Sequence, residues 1–173
     1  IKGSILAIEE FGIDEILLVG DKTKIDDCVK KNNLNMKNIS VYHAGDVITM
    51  CDDPKSVLKA KPDSSLAVGF RLLNDGLGDA FVSAGNTGAI TVGATLITKR
   101  IKGVKRPAIA SIMPSAEKPI LLMDCGANAE CRPEFLYQFG LLGSIYMKNV
   151  MNYENPRVAL ANNGSEETKG TST

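Results

Sequence analysis

Net charge is the first thing this sequence lacks. Twenty Lys and Arg residues are balanced by twenty Asp and Glu among 173, so attraction for an acidic partner has to come from a local patch. The chain carries no global nucleic-acid signature. Histidine is scarce too: His43 is the only one, far in sequence from the candidate nucleophile Cys125, and no catalytic triad is evident. The four cysteines, Cys28, Cys51, Cys125 and Cys131, lack the Cys-x-x-Cys spacing of zinc or redox sites. Nothing resembles a secretory leader, so reduced thiols in a cytoplasmic protein are expected. Long apolar runs are also missing. The two longest, Gly88 to Thr98 and Phe139 to Met147, fall short of the roughly 20 residues a spanning helix needs, which leaves a peripheral membrane association open. No repeat, low-complexity segment or interior linker interrupts the chain. What is present is ordinary globular composition, 44% hydrophobic with mixed charges, in a length sufficient for one packed domain spanning residues 1–173. The first residue is Ile1 and the last, Thr173, follows a strand and loop where a crossover helix is expected. The chain therefore reads as a piece of a longer one.

Hydrophobic spacing divides the chain into short elements. Ile5, Leu6, Ile8 and Phe11 make a helical stripe closed by Gly12, followed by a buried strand at Ile16 to Val19. A polar helix over Asp21 to Asn33 leads to a second strand at Ile39 to Tyr42, with His43 as a strand-end or loop residue satisfied by backbone. Residues Val47 to Ala60 are weakly patterned. Lys61-Pro62-Asp63-Ser64-Ser65 reads as the start of a helix that Asn74-Asp75-Gly76 stops. Ala108 to Met113 and Ile120 to Met123 are apolar runs of strand length, punctuated by prolines and suited to a hairpin. Pro133 to about Val150 is a long helix, whose stripe of Phe135, Leu136, Phe139, Leu142, Tyr146 and Val150 suits a core or a dimer interface better than an acyl groove. Arg157 to Ala161 is read as the last strand. Strands alternating with helices predict an α/β protein, a three-layer α/β/α sandwich with a mostly parallel sheet.

The chain is organised around Asp79 to Ala89, read as a short buried strand, Ala80 to Val82, turning directly into a helix that runs from Thr87 to about Ile101. Asn86 is the expected N-cap. The first N–H groups of such a helix lack internal partners and carry the positive end of its dipole, so an anion binds there without a lysine. Gly85 and Gly88 let the backbone touch a ligand. The competing reading is a Gly/Asn turn that binds nothing. Ligands in α/β sheets sit at the carboxyl ends of strands. The loops Ser83 to Gly88, Asp124 to Asn128 and Asn162 to Gly170 all fit that position, and their convergence on one crevice is expected.

Val-Ser-Ala-Gly-Asn-Thr-Gly-Ala at 82–89, Met-Asp-Cys-Gly-Ala-Asn at 123–128 and Asn-Asn-Gly-Ser-Glu-Glu-Thr-Lys-Gly at 162–170 resemble the signature segments of the PlsX family, the phosphate acyltransferases of bacterial phospholipid biosynthesis. Lys61-Pro62-Asp63-Ser64-Ser65 fits as well. Departures are the absence of an opening strand with an Asp-Ala-Met-Gly-Gly-Asp type loop, Asn163 in place of an aliphatic residue, and Cys125 where leucine is common. The resemblance implies a fold like that of the isocitrate and isopropylmalate dehydrogenases, shared with phosphotransacetylases. It implies transfer of a long acyl group from acyl carrier protein to inorganic phosphate, giving acyl phosphate. No cofactor and no metal are implied, nucleic acid is not a partner, and a homodimer is expected.

On this reading Gly85, Asn86, Thr87 and Gly88 form the phosphate cradle, with Ser83 as a hydroxyl donor beside it. Asn128 is the candidate oxyanion donor and Lys169 the candidate cation for phosphate or the transition state. Asp124 caps its turn or orients Asn128, with direct catalysis or Mg²⁺ coordination as the weaker reading. Cys125 is expected to be a buried, inert thiol rather than an acyl carrier. Five cations in the eight residues Lys99 to Arg106 make the densest basic run. Arg100, Lys102 and Lys105 are assigned to docking of the acidic carrier protein, against the alternative that these charges simply suit a helix C-terminus. Two other readings stand: a short-chain phosphotransacetylase using coenzyme A, and a non-catalytic phosphate- or nucleotide-binding domain.

Overall fold

A computed structural model describes residues 1–128 and 130–161, which fall into two compact units, the first ending in sequence at Lys99 and the second starting at Arg100. In the first unit, helix α1 (Lys2–Phe11) ends at Gly12, whose φ of 63° is the left-handed turn expected of a glycine C-cap. Its apolar stripe is covered only in part: Ile5 and Ile8 are half-buried, while Leu6 and Phe11 are exposed. Strand β1 (Ile16–Gly20) pairs in parallel with β2 (Ile39–His43), Leu18 opposite Val41, with helix α2 (Lys22–Lys31) between them in the chain. Asp21 caps α2 by accepting from the Lys24 N–H. Both strands pack less deeply than their apolar sequence predicts: every residue of β1 is half-buried.

Helix α3 (Ser65–Asn74) is the centre of this unit. Ser64, fully buried, accepts from the Ala67 N–H as N-cap, and the helix buries Leu66 to Phe70 and Leu72. One side packs Val68 and Leu72 against Ala44, Leu17 and Val19. The other packs Leu66, Ala67 and Phe70 against Ile48, Val57 and Ala89. The weakly patterned stretch before α3 is thus core-forming. Asp46 bridges Ser64 in parallel, Pro54–Val57 form a 3-10 turn, and Ile48 and Val57 point inward.

The predicted strand at Ala80 to Val82 does not form. No strand lies beside it among the described residues, Phe81 lays its ring on α3 where Gly69 leaves room, and Val82 is 92% exposed. A Cβ at Gly69 would come within 2.3 Å of that ring. The helix after it, α4 (Thr87–Gly93), continues as a π-helix over Ala94–Thr98 and stops there, short of Ile101, because Lys99 turns to a φ of 71°.

In the second unit, β3 (Ala110–Met113) and β4 (Ile120–Met123) form the expected antiparallel pair, Ala110 opposite Met123. Helix α5 (Pro133–Asn149) buries Phe139 and Met147, while Tyr146 and Val150 are exposed. Gly143 lies against Leu121 of β4. Residues Arg157 to Ala161 are not a strand. The architecture is mixed α/β, with one parallel and one antiparallel strand pair among the described residues.

Candidate active site

The turn at 83–88 is built by local polar chemistry. Ser83 Oγ accepts from the Gly85 N–H at 3.1 Å, so its hydroxyl shapes the turn. Asn86, nearly buried, adopts φ −51° and ψ 113° and caps α4, its Oδ1 accepting from the Ala89 N–H at 3.0 Å. Its Nδ2 donates to Thr49 O at 3.1 Å. The Asn86 side chain is therefore engaged at both ends, which fixes its orientation in the turn. Gly85 N and Ala89 N are spent on Ser83 and Asn86. Among the described residues no acceptor meets the N–H groups of Asn86, Thr87 and Gly88. Three successive donors at the start of a helical run suit one anion.

Gly88 has a different reason from the expected one. A Cβ there would stand 2.7 Å from Pro54 Cγ and 3.2 Å from Asn86 Oδ1, so the missing side chain makes room for the preceding loop. That loop is clamped from inside by Lys61. Its ammonium donates to Asp52 at 2.9 Å and to Val47 O at 2.8 Å, and lies 4.0 Å from Asp46. Asp52 also accepts from the Thr49 N–H and hydroxyl, at 2.6 and 2.9 Å. The Lys61 ammonium, followed by the Thr49 donors, pulls the Asp52 carboxyl down to about 2, and Asp52 in turn holds the Lys61 ammonium above its ordinary range.

In the second unit, Asp124 accepts from Ile109 N at 2.7 Å and Ala127 N at 3.2 Å with one oxygen, and from Asn128 N at 2.8 Å with the other. Burial pushes this carboxyl up, but the combined donors outweigh it and hold the group below its usual range. It caps the turn and orients Asn128, as the sequence suggests. Asn128 Nδ2 gives its hydrogens to Pro107 O at 2.9 Å and Asp124 Oδ2 at 3.0 Å. In this conformation the amide is a clasp, and donation to an oxyanion requires that one of these bonds be exchanged. Cys125 is exposed rather than buried, because the turn after β4 carries it outward, with its thiol donating to Leu122 O at 3.2 Å. Burial raises the Cys131 thiol, which disfavours its thiolate.

The basic run is partly spoken for. Lys105 pairs with Glu134 of α5, its N–H donates to Gln138 Oε1 at 2.9 Å, and Arg100 folds back on the Lys105 carbonyl. Arg106 lies over the Phe135 ring at 5.8 Å. Lys102 has no ionic partner among the described residues. Lys169 and the loop at 162–170 lie outside the described residues. Thus Ser83 and Gly85 to Gly88 share one turn of the first unit, and Asn128, Arg100, Lys102 and Lys105 belong to the second.

A model for the fatty acid synthesis protein family matches residues 1–173. The chain belongs to this family. It is 45% identical over 173 residues to the phosphate acyltransferase of Acetivibrio thermocellus, covering all of this chain and 51% of that protein. It is 45% identical over 170 residues to the phosphate acyltransferase of Clostridium novyi, with 98% of this chain and 51% of the relative covered. The phosphate acyltransferase of Thermoanaerobacterium thermosaccharolyticum is 43% identical over 169 residues, 98% of this chain and 49% of the relative. The chain spans about half the length of these relatives. The PlsX resemblance read from the loop motifs is borne out at the level of the family.

Sequence reasoning missed two features. The role of Lys61, Asp52 and Thr49 behind the turn was signalled only by the Lys-Pro-Asp-Ser-Ser motif, read as a helix start. A cleft of about 330 Å³ also opens at the carboxyl end of β2, lined by Tyr42, His43, Asp63 and Arg71 among others, and contains none of the candidate residues. His43 Nδ1 there accepts from the Lys22 N–H at 3.3 Å.

Proposed function

We propose that the protein containing this chain transfers a long-chain acyl group from acyl carrier protein to inorganic phosphate, an acyltransferase step of phospholipid biosynthesis. The observation that carries this reading is the row of amides at Asn86, Thr87 and Gly88 with no acceptor among the described residues, in a family whose relatives are named phosphate acyltransferases. A phosphate held there is already a nucleophile near neutral pH. Its oxygen attacks the thioester carbonyl carbon, the oxyanion collapses, and the carbon–sulfur bond breaks to release the carrier thiolate, which takes up a proton. With an unperturbed thiol pKa of about 8.5, that leaving group needs little acid help. Position and electrostatics carry the rate.

Asn128, once released from Pro107, and Lys169 are the proposed oxyanion donor and transition-state cation. Arg100, Lys102 and Lys105 form the proposed carrier-docking segment, with Lys102 the one of the three that no described residue engages. The same reading includes the three-layer α/β/α sandwich of the dehydrogenase type, a homodimer, and a cytoplasmic protein touching the membrane peripherally. No described helix is long and apolar enough to cross a membrane.

The test is acyl-phosphate formation by the full-length protein, offered acyl carrier protein thioesters or coenzyme A thioesters. Preference for the carrier protein supports the reading. Preference for a short-chain coenzyme A thioester makes it a phosphotransacetylase. Absence of transfer, with a nucleotide but not phosphate raising the melting temperature, makes it a binding domain.

A further inference from the structure

We infer that Lys61 is a positioning residue for the phosphate turn, acting through Asp52, Thr49 and Asn86. This rests on the reading of the 85–88 turn as the phosphate site.

The path is continuous within the first unit. Lys61 lies at the start of the segment leading into α3, and its ammonium reaches back into the loop 46–53, where it meets Asp52, the Val47 carbonyl and the flank of Asp46. The other end of that loop is pinned by backbone, Asp46 N donating to Asp63 O at 3.2 Å and Ser65 N to Asp46 O at 3.1 Å. Asp52 holds Thr49 by two bonds, and the Thr49 carbonyl receives the Asn86 amide. Asn86 is the residue whose other end caps α4, so its torsions set where the free N–H groups of residues 86–88 point. Pro54, beyond the same loop, closes against Gly88.

The arrangement has a chemical logic. A lysine near an anion site ordinarily serves as a point charge on the anion. Lys61 is turned the other way: two acidic side chains and a carbonyl already surround its ammonium. Its contribution to phosphate is therefore geometric rather than ionic. Amide donors are effective only when pre-aimed, and displacement of a positioning group by about 1 Å costs up to roughly a hundredfold in rate.

The experiment measures phosphate and acyl-donor kinetics of the full-length protein carrying Lys61→Met, Lys61→Arg or Asp52→Asn, with Thr87→Pro in parallel to remove one proposed donor. Lys61→Met is expected to raise the phosphate KM by roughly tenfold or more, leaving the acyl-donor KM within about threefold. Lys61→Arg, which can still reach Asp52, should recover most of the loss. Asp52→Asn reproduces the Met effect more weakly and keeps the question open to measurement if Lys61→Met does not fold. An unchanged phosphate KM in Lys61→Met, or an equal rise in both KM values, overturns the inference. If Thr87→Pro raises the phosphate KM while Lys61→Met does not, the positioning role alone fails. If neither variant moves it, the turn is not the phosphate site and the role of Lys61 falls with it.

Discussion

Replacing Thr87 by proline isolates one backbone donor of the phosphate turn. Thr87 is the first residue of α4 after the Asn86 cap, the position at which proline is best tolerated, because its missing N–H would have no helical partner. Asn86, at φ −51° and ψ 113°, already lies outside the α region that a following proline disfavours. Thr87 is exposed, leaving room for the ring, and its carbonyl still accepts from the Thr91 hydroxyl. Folding stability should therefore change little, or rise slightly from a stiffer unfolded chain. What disappears is one N–H with no acceptor among the described residues. A hydrogen bond to a charged group contributes about 1.5–3 kcal/mol, which at about 1.4 kcal/mol per tenfold is roughly 10- to 150-fold in phosphate affinity. The assay is acyl-phosphate formation by full-length protein against phosphate concentration, with melting temperature as the folding control. Thr87→Ala and Thr87→Ser separate the loss of the hydroxyl from the loss of the N–H. A Thr87→Pro protein with wild-type melting temperature and wild-type phosphate KM would refute the assignment of the anion to these amides.

Gly88→Val should unfold the turn rather than merely block it, since its Cβ meets Pro54, and a lowered melting temperature measures that; Ser83→Ala loses only a turn contact and should keep activity within about threefold. Cys125→Ser should retain most activity although the thiol is exposed, because phosphate attacks the thioester directly; an acyl adduct trapped on Cys125 by mass spectrometry would contradict this. The Asp52 carboxyl, depressed from 3.8 to about 2 by Lys61 and Thr49, contributes stability that is present above about pH 4 and lost as the pH falls towards 2. Thermal melts across that window should show a shallower acid loss in Asp52→Asn. Carrier docking is best probed with Lys102→Glu, since Lys105 and Arg100 hold local structure. A raised KM for acyl carrier protein with weaker salt dependence is expected, and unchanged carrier kinetics would move docking elsewhere.

Sequence alone determined the features that depend on neighbours in the chain. Gly12 ends α1, and Asp21, Ser64 and Asn86 cap their helices, because capping joins residues three or four apart. The Asp124 turn is legible for the same reason, as is the β3–β4 pairing across a short proline-punctuated connection. The family too was legible, from three loops whose residue types are unusual together.

Tertiary structure decided what depends on residues far apart. Ala80 to Val82 has the composition of a strand, but a strand exists only where another pairs with it, and here Phe81 docks on Gly69 while Val82 stays in solvent. Gly88 reads as open space for a ligand until Pro54, 34 residues earlier in the sequence, is seen to fill it. Asn86 reads as a helix cap beside a ligand until its second bond, to Thr49, ties it to the preceding loop. Lys61 carried a helix start and a family resemblance but no sign of its clamping role, because its ammonium is satisfied by a loop that hydrophobic periodicity left blank. Short-range hydrogen bonding and glycine chemistry are written locally, whereas which donors remain free for a ligand is settled only once the whole unit has satisfied its own polar groups.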